Sequence, residues 1–252
     1  MVVVGVLSGK GGVGKTTITS NLAVALTSVF KRKAIILDTN ITSSHIRLHF
    51  GMYEEMKRTL KDVVRNESML KEVIHSDELT GVDLVPAPES LRGLDLKKLK
   101  NLASHLAESV YNFVIIDSAP GFRENTENII KASDKILVIT TPQIPDVSDA
   151  LKLAEFIRKK KKRPIVVVNR RKKKKYELSK EQIMEMLDVK EKEFFEIPED
   201  EKVPESIARG VPVTLYKKGS KASIALKKLA AYLAGEEYKP SLSERIKWFF
   251  GI

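Results

Sequence analysis

The chain has 252 residues, a formal charge of +11 from 44 Lys and Arg against 33 Asp and Glu, and no cysteine. That length fits one α/β domain with a sizeable core, the missing cysteine excludes disulfides, zinc–thiolate clusters and thiol chemistry, and the positive balance points to a polyanionic partner, nucleic acid or anionic lipid. No run approaches the ~18 apolar residues of a spanning helix, and the apolar start lacks a basic leader or cleavage pattern, so the expectation is a cytoplasmic protein with any membrane contact peripheral, on the inner face.

Met1 to Leu7 is an apolar, β-branched run that reads as a buried strand. It leads into Gly9-Lys-Gly-Gly-Val-Gly-Lys-Thr-Thr17, the pattern G-x-x-x-x-G-K-[ST] between a strand and a helix start. This is a P-loop. Gly9, Gly11, Gly12 and Gly14 let the backbone around Lys10 and Val13 turn its N–H groups inward, and the helix beginning near Lys15 adds its positive N-terminal end. Lys15 is expected on the β- and γ-phosphates of a bound nucleotide, and Thr16, followed by Thr17, on Mg²⁺. Lys10 is a second lysine where an ordinary P-loop is indifferent to residue type. With it, the stretch Lys10 to Thr17 resembles the deviant Walker A motif of the MinD and ParA group of ATPases, nearest to archaeal MinD-like proteins, and the likeness extends over most of the chain. In that family the early lysine reaches the ATP of a partner subunit, so the resemblance implies an ATP-sandwiched homodimer with ATP and Mg²⁺ as cofactors. The absence of cysteine sets the chain apart from relatives that carry iron–sulfur clusters on paired cysteines.

Ala34 to Leu37 is the second expected strand, and Asp38, Thr39 and Asn40 follow it. The resembling family usually shows Asp-x-Asp here, the first aspartate near the metal and the second orienting the attacking water. Asn40 stands in place of the second. An amide accepts a hydrogen bond through its carbonyl but takes no proton. Either hydrolysis is slow and the ATP-bound dimer long-lived, or Asn40 suffices to position water. Residues Met52 to Glu78 read as a helical insertion without a chemical motif, and Val82 to Val85 as a third strand. Phe113 to Ile116 is a fourth, and Phe113-Val-Ile-Ile-Asp117-Ser-Ala-Pro-Gly121 resembles the family's Walker B and switch segment. That likeness places Asp117 on Mg²⁺ through water and the Gly121 N–H near the γ-phosphate.

Strands are also expected over Ile136 to Ile139 and Ile165 to Val168. Asn169 after the latter, and Pro198, Glu199 and Asp200 in Ile197-Pro-Glu-Asp200, resemble MinD-like elements that read the adenine edge and close over the ring. Continuous apolar strands alternating with helices imply an α/β, doubly wound, mostly parallel sheet with helices on both faces and ligands at the carboxyl ends of strands. Basic runs flank the last of these strands, Arg158 to Arg163 before it and Arg170 to Lys175 after it. They read as solvated surface, or as contacts to the phosphates of DNA or lipid.

The ATPase domain is expected over residues 1–237, and 238–252 as a linker and amphipathic tail. At 100° per residue Leu242, Ile246, Phe249 and Phe250 fall in roughly one 100° sector, and Trp248 lies off it, where an indole sits at headgroup level. The tail resembles the membrane-targeting helix of MinD. Burying four such side chains gives at most ~6 to 12 kcal/mol before the ordering cost of a short helix, so one tail binds reversibly and a dimer gains ~10²-fold by avidity. The alternative is a tail packed on its own domain or on a protein partner. The reading is a MinD-like ATPase that dimerises around ATP, binds an anionic membrane surface and recruits or positions an unidentified partner protein. A ParA-like DNA-partitioning ATPase and a scarcely hydrolysing membrane scaffold are the rivals.

Overall fold

The computed structural model describes residues 1–252 except 41–44, 55–57, 66–69, 89–97, 108–109, 123, 243 and 245–252. In chain order the elements are β1 (Val2–Leu7), α1 (Lys15–Ser28), β2 (Ala34–Asp38), a 3-10 turn (Ile46–Phe50), α2 (Leu60–Arg65), α3 (Leu70–Val73), β3 (His75–Asp77), β4 (Val82–Val85), α4 (Leu99–Ala107) and β5 (Phe113–Asp117). Then come α5 (Glu124–Ala132), β6 (Lys135–Thr140), α6 (Ile144–Lys159), β7 (Pro164–Arg171), α7 (Lys180–Leu187), β8 (Phe194–Pro198), α8 (Lys202–Ala208), α9 (Val213–Tyr216) and α10 (Lys221–Ala234).

The strands form one sheet in the order β3-β4-β2-β5-β1-β6-β7-β8, with every pairing parallel except β3 on β4. Period-two alternation sends Val3, Leu37, Val114, Ile116 and Val138 to one face, against α4, α5, α6 and α7. Val4, Val6, Ile36, Ile115 and Leu137 go to the other, against α1 and α10. All of these are fully or almost fully buried, which is why these strands are uninterrupted apolar runs. α1 is buried from Ile18 to Leu26 because the sheet covers one side and α10 the other.

The doubly wound, mostly parallel sheet is as expected. Two strands were not foreseen, and both are sheet edges. β3 lies inside the segment read as a helical insertion, of which α2 and α3 are the helical part. A turn through Thr80 and Gly81 (φ +69°) folds it antiparallel onto β4, and the Ser76 hydroxyl donates to Asp83 at 2.5 Å. β8 carries Glu196 in mid-strand, so it lacks the apolar continuity of a central strand. Among the described residues no helix is long and apolar enough to cross a membrane.

Candidate nucleotide site

β1 is central, with β5 on one side and β6 on the other, so its carboxyl end opens at the position where such sheets hold ligands. The P-loop fills that end. Gly12 (φ +79°) and Gly14 (φ +96°) take left-handed conformations that turn the chain into α1. Gly14 is the N-cap of α1, which has neither a side-chain cap nor an acid in its first turn. Its first N–H groups are therefore left for an anion.

The two loop lysines are placed in contrasting ways. Lys15 is 6% exposed and donates to the Ser8 hydroxyl at 2.9 Å, which in turn donates to the Lys10 carbonyl at 2.6 Å. Burial lowers the Lys15 pKa while the Asp117 charge opposes that effect. The Lys10 side chain is 55% exposed and points out of the loop to the Asp146 carboxylate at the start of α6, 2.9 Å away. That hydrogen bond and charge raise its pKa. Asp146 is itself oriented by the Thr141 hydroxyl at 2.6 Å.

Asp117 ends β5 directly opposite Asp38 on β2. Its carboxylate accepts from Thr16 at 2.7 Å and from Thr19 at 3.2 Å, and its carbonyl accepts the Thr39 N–H (2.9 Å) and hydroxyl (2.7 Å). The Asn40 N–H donates to Asp38 Oδ1 at 2.8 Å. Asp38, Thr39, Asn40 and Asp117 are all buried. A hydroxyl and buried carboxylates gathered at a helix N-terminus fit the hard-oxygen chemistry of Mg²⁺ on a phosphate. Thr16, Asp117 and Asp38 are the residues that would hold it. The Gly121 N–H donates to the Ser8 carbonyl at 3.0 Å instead of facing the cradle, so it would reach a terminal phosphate only by releasing that bond.

Burial pushes Asp117 up to about 6 against the hydrogen bonds from Thr16 and Thr19 and the charge of Lys15. A carboxylate whose folded pKa is raised keeps a proton that the unfolded chain loses. Stability therefore falls as pH rises from the ordinary 3.8 through about 6, and a penalty of up to about 3 kcal/mol persists above. Asp117→Asn should thus stabilise the nucleotide-free protein at neutral pH by about 1–3 kcal/mol and remove the stabilisation conferred by Mg²⁺ with nucleotide. Calorimetric melting at pH 5 and pH 7, with and without Mg²⁺ and nucleotide, reads both effects.

On the other side of α1 an open cavity of about 250 Å³ is lined by Thr17, Ile18, Asn169, Pro198, Glu199 and Asp200, among others. The residues expected around the base are thus brought together beside the P-loop. The Asn169 amide donates to the Val13 carbonyl at 2.8 Å. Asp200 lines the cavity, yet its oxygens accept the N–H groups of Lys202 (2.9 Å) and Ala222 (3.0 Å), tying together the starts of α8 and α10. A Cβ on Gly14 would stand 2.2 Å from Asn169 Nδ2. Gly14→Ala, strained in φ as well, should cost about 1–3 kcal/mol and weaken nucleotide binding roughly 10²-fold, the scale of that energy with a displaced Asn169. Thermal melting and nucleotide titration check it.

Thr19, Asp146 and Ser8 are site residues that the sequence reading missed. Thr19 was legible as one helical turn beyond Thr16 on the same face. Of the residues assigned to the tail, Leu242 is 73% exposed, and Ile246, Trp248, Phe249 and Phe250 lie outside the described residues.

Residues 1–234 match the ParA family, described as a NUBPL iron-transfer P-loop NTPase. With no cysteine the chain offers no thiolate to an iron–sulfur cluster. An uncharacterised ATP-binding protein of Methanocaldococcus jannaschii is 34% identical over 237 residues, 92% of this chain and 88% of that protein. The septum site-determining protein MinD of Pyrococcus horikoshii, solved with Mg-ADP, superposes with a TM-score of 0.81 at 27% identity, covering 92% of this chain and 95% of that one. The MinC:MinD cell division complex of Aquifex aeolicus gives 0.85 at 26%, covering 96% and 99%.

Proposed function

The chain belongs to the ParA/MinD family of P-loop ATPases, and from that premise we propose that it is a MinD-like switch. It closes into a homodimer around ATP and Mg²⁺, docks on the inner membrane surface through its C-terminal segment, and recruits or positions a partner protein. Septum placement and cell division are the processes named for its structural relatives.

The nucleotide part of this reading is supported by groups already placed. The N–H groups of the P-loop and the first turn of α1 hold phosphate oxygens, and buried Lys15 exchanges its bond to Ser8 for one to the nucleotide. Thr16, Asp117 and Asp38 would hold Mg²⁺, which would supply neutralisation of phosphate charge. Asn169, Pro198 and Glu199 shape the cavity that takes the base. Asn40 orients the attacking water through its amide without accepting the proton, which makes hydrolysis slow.

The observation that carries this reading is the division of labour between the two lysines. Lys15 serves its own site, whereas Lys10 turns its ammonium outward to Asp146, open to a phosphate carried by a second molecule. Multi-angle light scattering tests the dimer. The mass should double with ATP and Mg²⁺ and stay monomeric with ADP; a monomer under both conditions would refute the switch.

A further inference from the structure

We propose, on the basis of the membrane reading above, that the turn Lys172 to Lys175 is a second membrane-contact element, laying four ammonium groups on anionic lipid headgroups beside the point where the C-terminal segment leaves the domain.

The two basic runs have different fates. In the first, Arg158 bonds the Asp188 carbonyl at 2.9 Å, Lys160 pairs with Glu127 at 2.9 Å and Lys162 bonds the Ile130 carbonyl at 2.7 Å, so three of its cations are spent inside the fold. In the second, Lys172, Lys173, Lys174 and Lys175 are all exposed, and among the described residues none of their ammonium groups is in an ion pair. The turn that displays them is built rather than slack. Glu177, whose side chain is 2% exposed, accepts the Lys172 N–H at 3.1 Å and the Lys174 N–H at 3.4 Å, and its own N–H returns to the Lys174 carbonyl at 3.0 Å. Lys173 sits at φ +57° to close the turn. Arg171, 9% exposed, anchors the base of the turn through Glu196 at 2.9 Å.

The tail root faces the same strand end across an open groove. Arg171 is opposite Pro198 in the β7–β8 pairing, roughly 5 Å away. Pro198 lines an open groove together with Pro240, Lys221 and Lys228. One residue on, the Ser241 N–H donates to Glu244 Oε2 at 2.9 Å and the Glu244 N–H to Ser241 Oγ at 3.3 Å, a reciprocal capping box. Glu244 is in turn held by Lys227, whose side chain is 2% exposed, at 2.7 Å. The tail therefore starts from a fixed place on α10, across that groove from the strand end that leads into the basic turn. Lipid fits this corner better than single-stranded nucleic acid. The one aromatic on the turn is Tyr176, 65% exposed; a single ring makes no stacking platform for successive bases, whereas a tyrosine at headgroup level is ordinary.

A lysine near an anionic surface contributes about fivefold in affinity at low salt, so neutralising four should weaken binding by roughly 600-fold. The test uses the full chain with ATP and Mg²⁺, vesicles of phosphatidylcholine with and without phosphatidylglycerol, and duplex DNA. The expected result is that Lys172→Gln, Lys173→Gln, Lys174→Gln and Lys175→Gln together reduce binding to anionic vesicles roughly 600-fold and flatten its salt dependence. ATP affinity should be unchanged, and the corresponding four-arginine variant should bind as the native chain does. Equal vesicle affinity for the native and glutamine forms overturns the proposal while leaving the membrane reading intact. Failure of the native chain to bind vesicles of either composition overturns both. DNA binding that the glutamines abolish, with vesicle binding unaffected, also overturns it and assigns the turn to nucleic acid.

Discussion

Replacing Lys10 with alanine is expected to leave ATP binding by the monomer within about threefold of native while abolishing the ATP-dependent dimer and lowering single-turnover hydrolysis roughly 10³-fold. The first half follows from placement. Lys10 Nζ faces Asp146 outside the loop, and Lys15 together with the N–H groups at the α1 N-terminus supplies the phosphate contacts within one chain. The second half follows from charge. A cation brought to the terminal phosphate from across an interface stabilises charge spread over its oxygens, as an arginine finger does. The Lys10–Asp146 pair is open to water on its lysine side and too weakly held there to prevent the lysine from leaving, so Asp146→Asn should favour the dimer modestly. Light scattering and phosphate release read both variants, and a Lys10→Ala chain that still dimerises with ATP would sink the assignment.

The second large effect concerns Asn40. Asn40→Asp should raise the hydrolysis rate by about 10²-fold or more, the usual yield of a general base placed on the attacking water. The same change should destabilise the nucleotide-free protein. Asn40 is 4% exposed, next to buried Asp38 and within the loop that packs against the Asp117 carbonyl, so a third carboxylate adds like charge to a dry site. Mg²⁺ with ATP should restore the loss. Stopped-flow phosphate release and melting with and without Mg²⁺-ATP report both effects. An unchanged rate would mean that the water is activated by a group from outside the chain.

Much of this was legible in the residues because the chemistry is local. The P-loop, Asp38, Asp117 and Asn169 each follow an apolar run whose continuity announces burial on both faces, and parallel topology then delivers them to one edge. What escaped depends on tertiary approach. Lys10 and Asp146 are 136 residues apart in sequence, and nothing near either marks them as partners until β1 and β6 are neighbours. β8 was hidden by Glu196, a polar residue that only an edge strand tolerates at that place. Lys227 sits in the apolar pattern of α10 as an ordinary surface lysine would, yet it is buried on Glu244 and the Lys218 carbonyl. Burial pushes Glu244 up, but hydrogen bonds from Lys227 and the Ser241 N–H outweigh it and hold the carboxyl at about 2.

Sedimentation with anionic vesicles tests the central claim most directly, comparing the full chain with one ending at Pro240, each with ATP and with ADP. The account predicts that only the full chain with ATP sediments with the vesicles, since two tails joined by nucleotide bind where one does not. Equal sedimentation of all four samples would contradict it.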